Sequence, residues 1–251
     1  MKLKRIQQVE NYIQQQGSIS LDELCSVFNV SKNTIRRDVN ELEKRGTLRK
    51  VYGGVVAVEN TLVPYENRTI QYQEEKEKIA AIASTLIKEN DLIFIDSGTT
   101  TSQLLNAISP DLHFTVLTNS LDVVNLVASM ENIQLILIGN SYKAKTRSFV
   151  GVEDEELITK YNIGKAFMAA TGVSISNGLT NSDLLEYRIK KMIVEKASDV
   201  YLLADGSKFN KSTLLTYAPL EKVDTIITTP NIPAEYQIFC QEQGINLLTT
   251  T

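Results

Sequence analysis

At 251 residues, with 43% hydrophobic and 22% charged content, the chain is long enough for a small and a larger domain with separate cores, and its composition argues against disorder. Two cysteines far apart and a single histidine give no basis for a disulfide framework or a zinc site of familiar spacing, and no run approaches the ~18 apolar residues of a membrane span. The net charge of -4 is uneven, because ten basic residues against six acidic ones up to Ala57 give +4 there and -8 beyond, which points to an anionic partner for the N-terminal part.

The opening MKLKRIQQVENYI lacks the apolar centre of a signal peptide, so a cytoplasmic protein is expected. Leu3, Ile6, Val9 and Ile13 recur at helical spacing, and Gly17 is placed to close that helix. SIS reads as a short extended piece. Ser20 and Glu23 then have the spacing of a capping box and open a second helix, LDELCSVF, with Cys25 in the core. After a turn at NV, Ser31 caps a third helix whose Ile35, Val39 and Leu42 form one apolar stripe. Lys32, Asn33, Thr34, Arg36, Arg37 and Asn40 are left on its other faces, and Asp38 either orients an arginine or caps nothing.

A basic cluster of this kind is ordinarily a solvated face, so its neighbours must decide. TLRKVYGGVVAV follows as two β-prone segments around Gly53-Gly54. Helix, helix–turn–helix and hairpin in that order make a winged helix-turn-helix, the third helix entering the DNA major groove. Ser31, Lys32, Asn33, Thr34, Arg36 and Arg37 are the candidate DNA contacts on it, since arginine forks onto guanine or phosphate. Arg49 and Lys50 on the wing are candidate phosphate contacts.

The stretch LDELCSVFNVSKNTIRRDVNELEKRGTLRKVYGG resembles the DNA-binding region of the DeoR family of bacterial transcription regulators, in its Ser-x-x-Thr-x-Arg-Arg-Asp core and in the wing's Gly-Gly. Val51-Tyr52 stands where the family commonly has a Thr-His-type pair. The resemblance implies double-stranded operator DNA as partner.

ENTLVPYENRTIQYQ has no clear period and contains Pro64, which predicts a DNA-binding domain over 1–57, a linker over 58–73 and an effector domain over 74–251. Ile79, Ile82, Ala83 and Leu86 make a helical stripe. The apolar runs LIFI, FTVLT, IQLILIG, KAFMAA, VYLLA and TIITT then alternate mostly with amphipathic helices, the pattern of an α/β domain built on a mainly parallel sheet. Ligands bind such sheets beyond the carboxyl ends of the strands. Asp96, Ser97, Gly98, Thr99, Thr100 and Thr101 follow LIFI and lead into a helix from about Ser102, where Gly98 permits a sharp turn and N–H groups and hydroxyls form an anion cradle. Asn119 and Ser120 follow FTVLT. Asp205 and Lys208 follow VYLLA, the first suited to sugar hydroxyls and the second to phosphate or carboxylate. Lys145, Arg147, Thr180 and Glu186 complete the candidates. The plainer alternatives are turn chemistry with an N-cap for DSGTTT and a solvated basic loop for SYKAKTRSFVG. His113 reads as a surface residue, and Phe94, Phe114 and Phe167 as core.

NRTIQYQEEKEKIA, FIDSGTTT, LTNS, SFVG and LLADGSKF are similar to landmarks of the same family's sugar-phosphate effector domain, which resembles the ribose-5-phosphate isomerase fold. Gly139-Asn140 and Asn210 stand where many members have Gly-Gly and Gly. TLVPYENRTIQYQ, GLTNSDLLEYRIKK and SKFNKSTLLTYAP most resemble the branch that represses inositol catabolism in low-GC Gram-positive bacteria. That resemblance implies a phosphorylated intermediate as inducer, whereas residue chemistry alone supports a small phosphorylated polyol or keto sugar. No cofactor, metal or catalytic residue is expected.

A ligand-controlled repressor, dimeric or tetrameric, is therefore the leading expectation. A sugar-phosphate isomerase or kinase-like enzyme with an appended DNA module is the rival. Such an isomerase needs a base, for which Asp205, Glu186 and Asp96 are candidates. The chain has neither a P-loop nor a Rossmann glycine fingerprint.

Overall fold

The computed structural model describes residues 2–16, 18–44, 48–51, 54–57, 65–152 and 156–251, which form two compact units, Met1–Asn67 and Arg68–Thr251. In the first unit α1 (Lys2–Gln16), β1 (Ser18–Ser20), α2 (Leu21–Phe28), α3 (Lys32–Lys44), β2 (Leu48–Val51) and β3 (Gly54–Ala57) follow in order. Ser20 Oγ accepts from the Glu23 N–H at 3.1 Å and Ser31 Oγ from the Thr34 N–H at 3.3 Å, so both predicted caps are formed. Between α2 and α3 the chain turns through Asn29 in the left-handed region (φ 48°), a conformation asparagine tolerates. Ile6, Val9, Ile13, Leu24, Ile35, Val39 and Leu42 share one core with Leu48 and Val55. Cys25 is only half-buried at the edge of that core. The wing is antiparallel, Arg49 opposite Val56, and β1 joins it as a third strand in the order β1-β3-β2. Gly17, Gly53, Pro64 and the side chain of Leu3, which carried sequence expectations, lie outside the described residues.

The segment predicted as a linker is partly helical: α4 (Tyr65–Ile70) runs through the boundary between the units, and α5 (Gln73–Ser84) begins at its end. No period is visible there because α4 is under two turns long, too short to display one. After α5 the second unit continues with β4 (Leu92–Ile95), β5 (Phe114–Thr118), α6 (Leu121–Val127), β6 (Ile133–Leu137), β7 (Ser141–Lys143), β8 (Ser148–Val150), α7 (Glu156–Thr159) and β9 (Lys165–Met168). Then come β10 (Gly172–Ser174), β11 (Gly178–Asn181), α8 (Leu184–Lys196), β12 (Asp199–Ala204), β13 (Leu215–Ala218), β14 (Thr225–Thr228), α9 (Ala234–Gln243) and β15 (Asn246–Thr249).

Seven of these strands form one parallel sheet in the order β15-β14-β12-β9-β4-β5-β6. Each face carries its own core, one with α8 and α9 around Phe94, Met168 and Leu202, the other with α5 around Ile93, Ile95 and Phe167. Burial on both faces is why these strands read as near-continuous apolar runs. The chain winds from β4 outward through β5 and β6, then returns to the other side of β4 at β9 and winds outward again. That reversal is a topological switch point, and the connections leaving the carboxyl ends of β4 and β9 part there to leave a crevice. A small antiparallel sheet, β10-β11-β13, and the β7-β8 hairpin stand apart from the main sheet; both went unpredicted.

Candidate DNA-binding and effector sites

On α3 the buried stripe turns Arg36, Arg37, Lys32 and Asn33 outward, and all four are exposed. Asp38 is the exception. It is fully buried and receives the Arg5 guanidinium from α1, Nε to Oδ2 at 2.7 Å and Nη2 to Oδ1 at 3.1 Å. The orienting role expected of it is thus exerted on Arg5, not on its neighbours, and this forked bond clamps α3 to α1. Among the described residues Arg36, Arg37 and Arg49 hold no acidic partner. Lys32 is held by Asp22 at 2.6 Å, and the Lys50 ammonium bonds Glu43, whose carboxyl it pulls below its ordinary range. Lys50→Ala is therefore expected to lower the salt slope of DNA binding by clearly less than the ~0.9 of a full phosphate contact, and Arg49→Ala by about that amount. Gel shifts at several ionic strengths measure both.

In the crevice of the second unit, Asp96 ends β4 fully buried. Its Oδ1 accepts from the Ser97 N–H at 2.9 Å and its Oδ2 from the Ala169 N–H, beyond β9, at 2.9 Å. Lys190 on α8 donates to the same Oδ2 and, at 3.0 Å, to the Ala169 carbonyl, its ammonium 5.3 Å from the Tyr217 ring centroid. Tyr217 O–H also donates to that carbonyl at 2.9 Å; burial, with Asp96 adding, raises the phenol well above its ordinary range. Asp96 and Thr101 therefore brace the loop. Thr101 Oγ1 accepts from the Gly98 N–H at 3.0 Å and bonds the Asp96 carbonyl at 2.7 Å. The predicted cradle is reduced accordingly: Ser97 and Gly98 spend their N–H groups internally, and Thr101–Ala107 is a short 3-10 helix. Thr99 and Thr100 remain, their N–H groups and hydroxyls without partners among the described residues. Gly98 is needed for closeness rather than for a special φ, because a Cβ there would stand 2.3 Å from that of Ala169.

Next along the edge, Asn119 is buried, donates from Nδ2 to the Phe149 carbonyl at 3.3 Å and leaves Oδ1 without a partner. Ser120 caps α6. Glu186 accepts from Ser148 Oγ at 2.7 Å, and the neighbouring Asn181 is buried with Oδ1 unpartnered. Two further predicted site groups, Thr180 and Arg147, are turned to internal work. Thr180 Oγ1 donates to the Gly172 carbonyl at 3.0 Å and accepts from the Thr213 N–H at 2.9 Å. The Arg147 guanidinium is held by Asp122 at 2.5 and 2.9 Å, and Lys145 is exposed on the hairpin loop.

Beyond β9 on the other side lies the end of β12, about 10 Å from that of β4 at two strand spacings. There Asp205 is 1% exposed; Oδ1 caps the turn at Ser207, and Oδ2 is buried without a partner, as is Thr228 Oγ1 at the end of β14. Lys208 is half-buried, and burial lowers its ammonium below the ordinary value, against the pull of Asp205. The sequence reading passed over Lys76 and Lys190. Both stand on the apolar stripes of their helices, Lys76 with Ile79, Ala80 and Ala83, Lys190 with Glu186, Ile189 and Ile193. A lysine in phase with such a stripe was the available signal.

The two units match two families of known domains. Residues 5–61 match the DeoR-like helix-turn-helix domain, and residues 71–229 match the DeoR C terminal sensor domain. The chain belongs to the DeoR family. The HTH-type transcriptional regulator IolR of Bacillus subtilis is 59% identical over 98% of this chain and 99% of that one. The L-fucose operon activator of Haemophilus influenzae is 31% identical over 93% and 94%, and the glycerol-3-phosphate regulon repressor of Escherichia coli is 28% identical over 94% of each. Among solved structures, ribose 5-phosphate isomerase A from Methanocaldococcus jannaschii is 19% identical over 55% of this chain and 54% of that one, with a TM-score of 0.41. The turn after β12 passes through the left-handed region at Asn210 (φ 56°), which asparagine tolerates, and its N–H donates to Tyr236 Oη at 3.0 Å. No helix among the described residues is long and apolar enough to cross a membrane.

Proposed function

We propose that the protein is a cytoplasmic transcriptional repressor of a polyol catabolic operon, that of inositol, released from double-stranded operator DNA by a phosphorylated intermediate. The observation that carries this reading is the pairing, in one chain, of a clamped α3 presenting unpartnered arginines with a switch-point crevice holding open polar groups. The 59% identical relative named as a transcriptional regulator supports it. Arg36, Arg37, Arg49 and the start of α3 would contact DNA. The effector would lie along Thr99, Thr100, Asn119, Asp205 and Lys208. A homo-oligomer, dimer or tetramer, supplies paired recognition helices for two half-sites. Two of the three candidate bases of an isomerase are engaged, Asp96 by Lys190 and Glu186 by Ser148, which leaves Asp205 as the open one and weakens the enzymatic reading.

Gel-shift titration on the inositol-operon promoter, with sugar phosphates added in turn, tests the reading; sequence-independent binding, or binding that no phosphate relieves, would sink it. Thr100→Val and Lys208→Ala are expected to bind the operator normally and to resist release. Because linkage is reciprocal, operator DNA must weaken effector binding by the factor that effector weakens DNA binding.

A further inference from the structure

Lys76 sits in the first turn of α5, only 2% exposed. Among the described residues it makes no ion pair within bonding distance, and its ammonium donates to one group, the Arg68 carbonyl in α4. A buried ammonium has three donors, and leaving them unmet is costly. Asp205 lies within electrostatic reach, with its buried Oδ2 also unmet, yet the two do not pair. Lys208 and Arg68 act on Lys76 as well, and Glu75, its half-buried neighbour on α5, adds a weaker attraction. Lys76 and Lys208 thus both lie within electrostatic reach of the Asp205 carboxylate and of each other, with Arg68 acting on both and Lys211 on Lys208, near the ends of β12 and β14, where Thr228 Oγ1 is also open. That composition suits a dianion carrying hydroxyls.

We propose that Lys76, with Lys208, holds the phosphate of the effector while Asp205 accepts one of its hydroxyls, and that the bond from Lys76 to the Arg68 carbonyl couples occupancy to α4. The inference rests on the reading of this strand edge as the effector site. It moves the phosphate from the braced Gly98–Thr101 loop to the cationic end of β12. Binding then draws the ammonium toward the ligand and away from the carbonyl, in the helix by which the chain passes from one unit to the other. Burial lowers Lys76 to about 8, so above that pH Lys76 itself is largely neutral, and an arriving dianion recharges it. Phosphate binding should therefore take up protons, roughly 0.7 per site at pH 8.5 if the bound lysine regains its ordinary value.

Calorimetry of the full-length protein at pH 8.5, in two buffers of different ionisation enthalpy, with inorganic phosphate and glucose 6-phosphate as probes, tests this. Lys76→Met should weaken phosphate about 10- to 100-fold, the loss of a charge-assisted contact, and remove the share of proton uptake that Lys76 carries, leaving that of Lys208. Lys76→Arg should keep binding yet lose the same share of the uptake, since arginine stays charged; this second variant separates the role from a folding defect. Parental affinity in Lys76→Met, unchanged uptake in Lys76→Arg, or no phosphate binding by the parent overturns the proposal. A parent that binds phosphate through Lys76 but is not released from operator would leave the site standing and overturn the repressor reading.

Discussion

Lys190→Met is expected to destabilise the second unit by roughly 3–5 kcal/mol, the cost of leaving one member of a buried ion pair alone. Asp96 is fully buried, and Lys190 is 7% exposed. Removing the ammonium leaves a carboxylate supported only by the Ser97 and Ala169 N–H groups, and it frees the Ala169 carbonyl of one of its two donors. Against the 5–15 kcal/mol that a typical domain has in total, the loss is large. The charge-removing partner change decides the cause: Asp96→Asn combined with Lys190→Met should recover a good part of it, because no unpaired charge then remains. Urea denaturation should show two transitions, one for each unit, with only that of the second unit displaced. If Lys190→Met unfolded at the parental urea concentration, the pair would be no brace at all. The same brace fixes the distance between the β4 and β9 connections, so its loss should also blunt any effector response.

Arg36→Ala and Arg37→Ala should each weaken specific DNA binding by about 1–3 kcal/mol if the side chain forks onto a base, and the double variant should abolish operator selection. Both arginines are exposed and bear no structural load, while the face behind them, Ile35, Asp38, Val39 and Leu42, is buried. The substitutions should leave folding intact, which circular dichroism would verify. Asp38→Asn offers a contrast. It loosens the clamp on Arg5, so it should lower stability and DNA affinity together. Operator binding by the double arginine variant at parental strength, measured at moderate salt, would displace α3 from the groove.

Much of this molecule is written in short-range pattern. The stripe Ile35, Val39, Leu42 announces α3, and LIFI, FTVLT, KAFMAA and VYLLA announce doubly buried strands. The caps at Ser20 and Ser31 involve residues three apart in the chain. These are legible because helix and strand periods, and capping bonds, join near neighbours. The polar strand ends were legible too, since a parallel sheet puts its ligand groups after its strands.

What remained hidden is which of those polar groups are free. Asp96 looks open until Lys190 arrives from a helix 94 residues away, and Thr180 until the Gly172 carbonyl and the Thr213 N–H close on it. Arg147 is offered by the sequence as an effector contact and is taken by Asp122. Conversely, Lys76 reads as one charge among many in EEKEKIA and is buried beside an unmet carboxylate. The sequence alone determined the winged helix, six strands of the main sheet in their order and the strand edge where polar groups gather, because periodicity is a local property. Only the tertiary structure decided which of those groups are satisfied, because a buried hydrogen bond or ion pair needs two partners, and the fold alone brings distant ones within 3 Å.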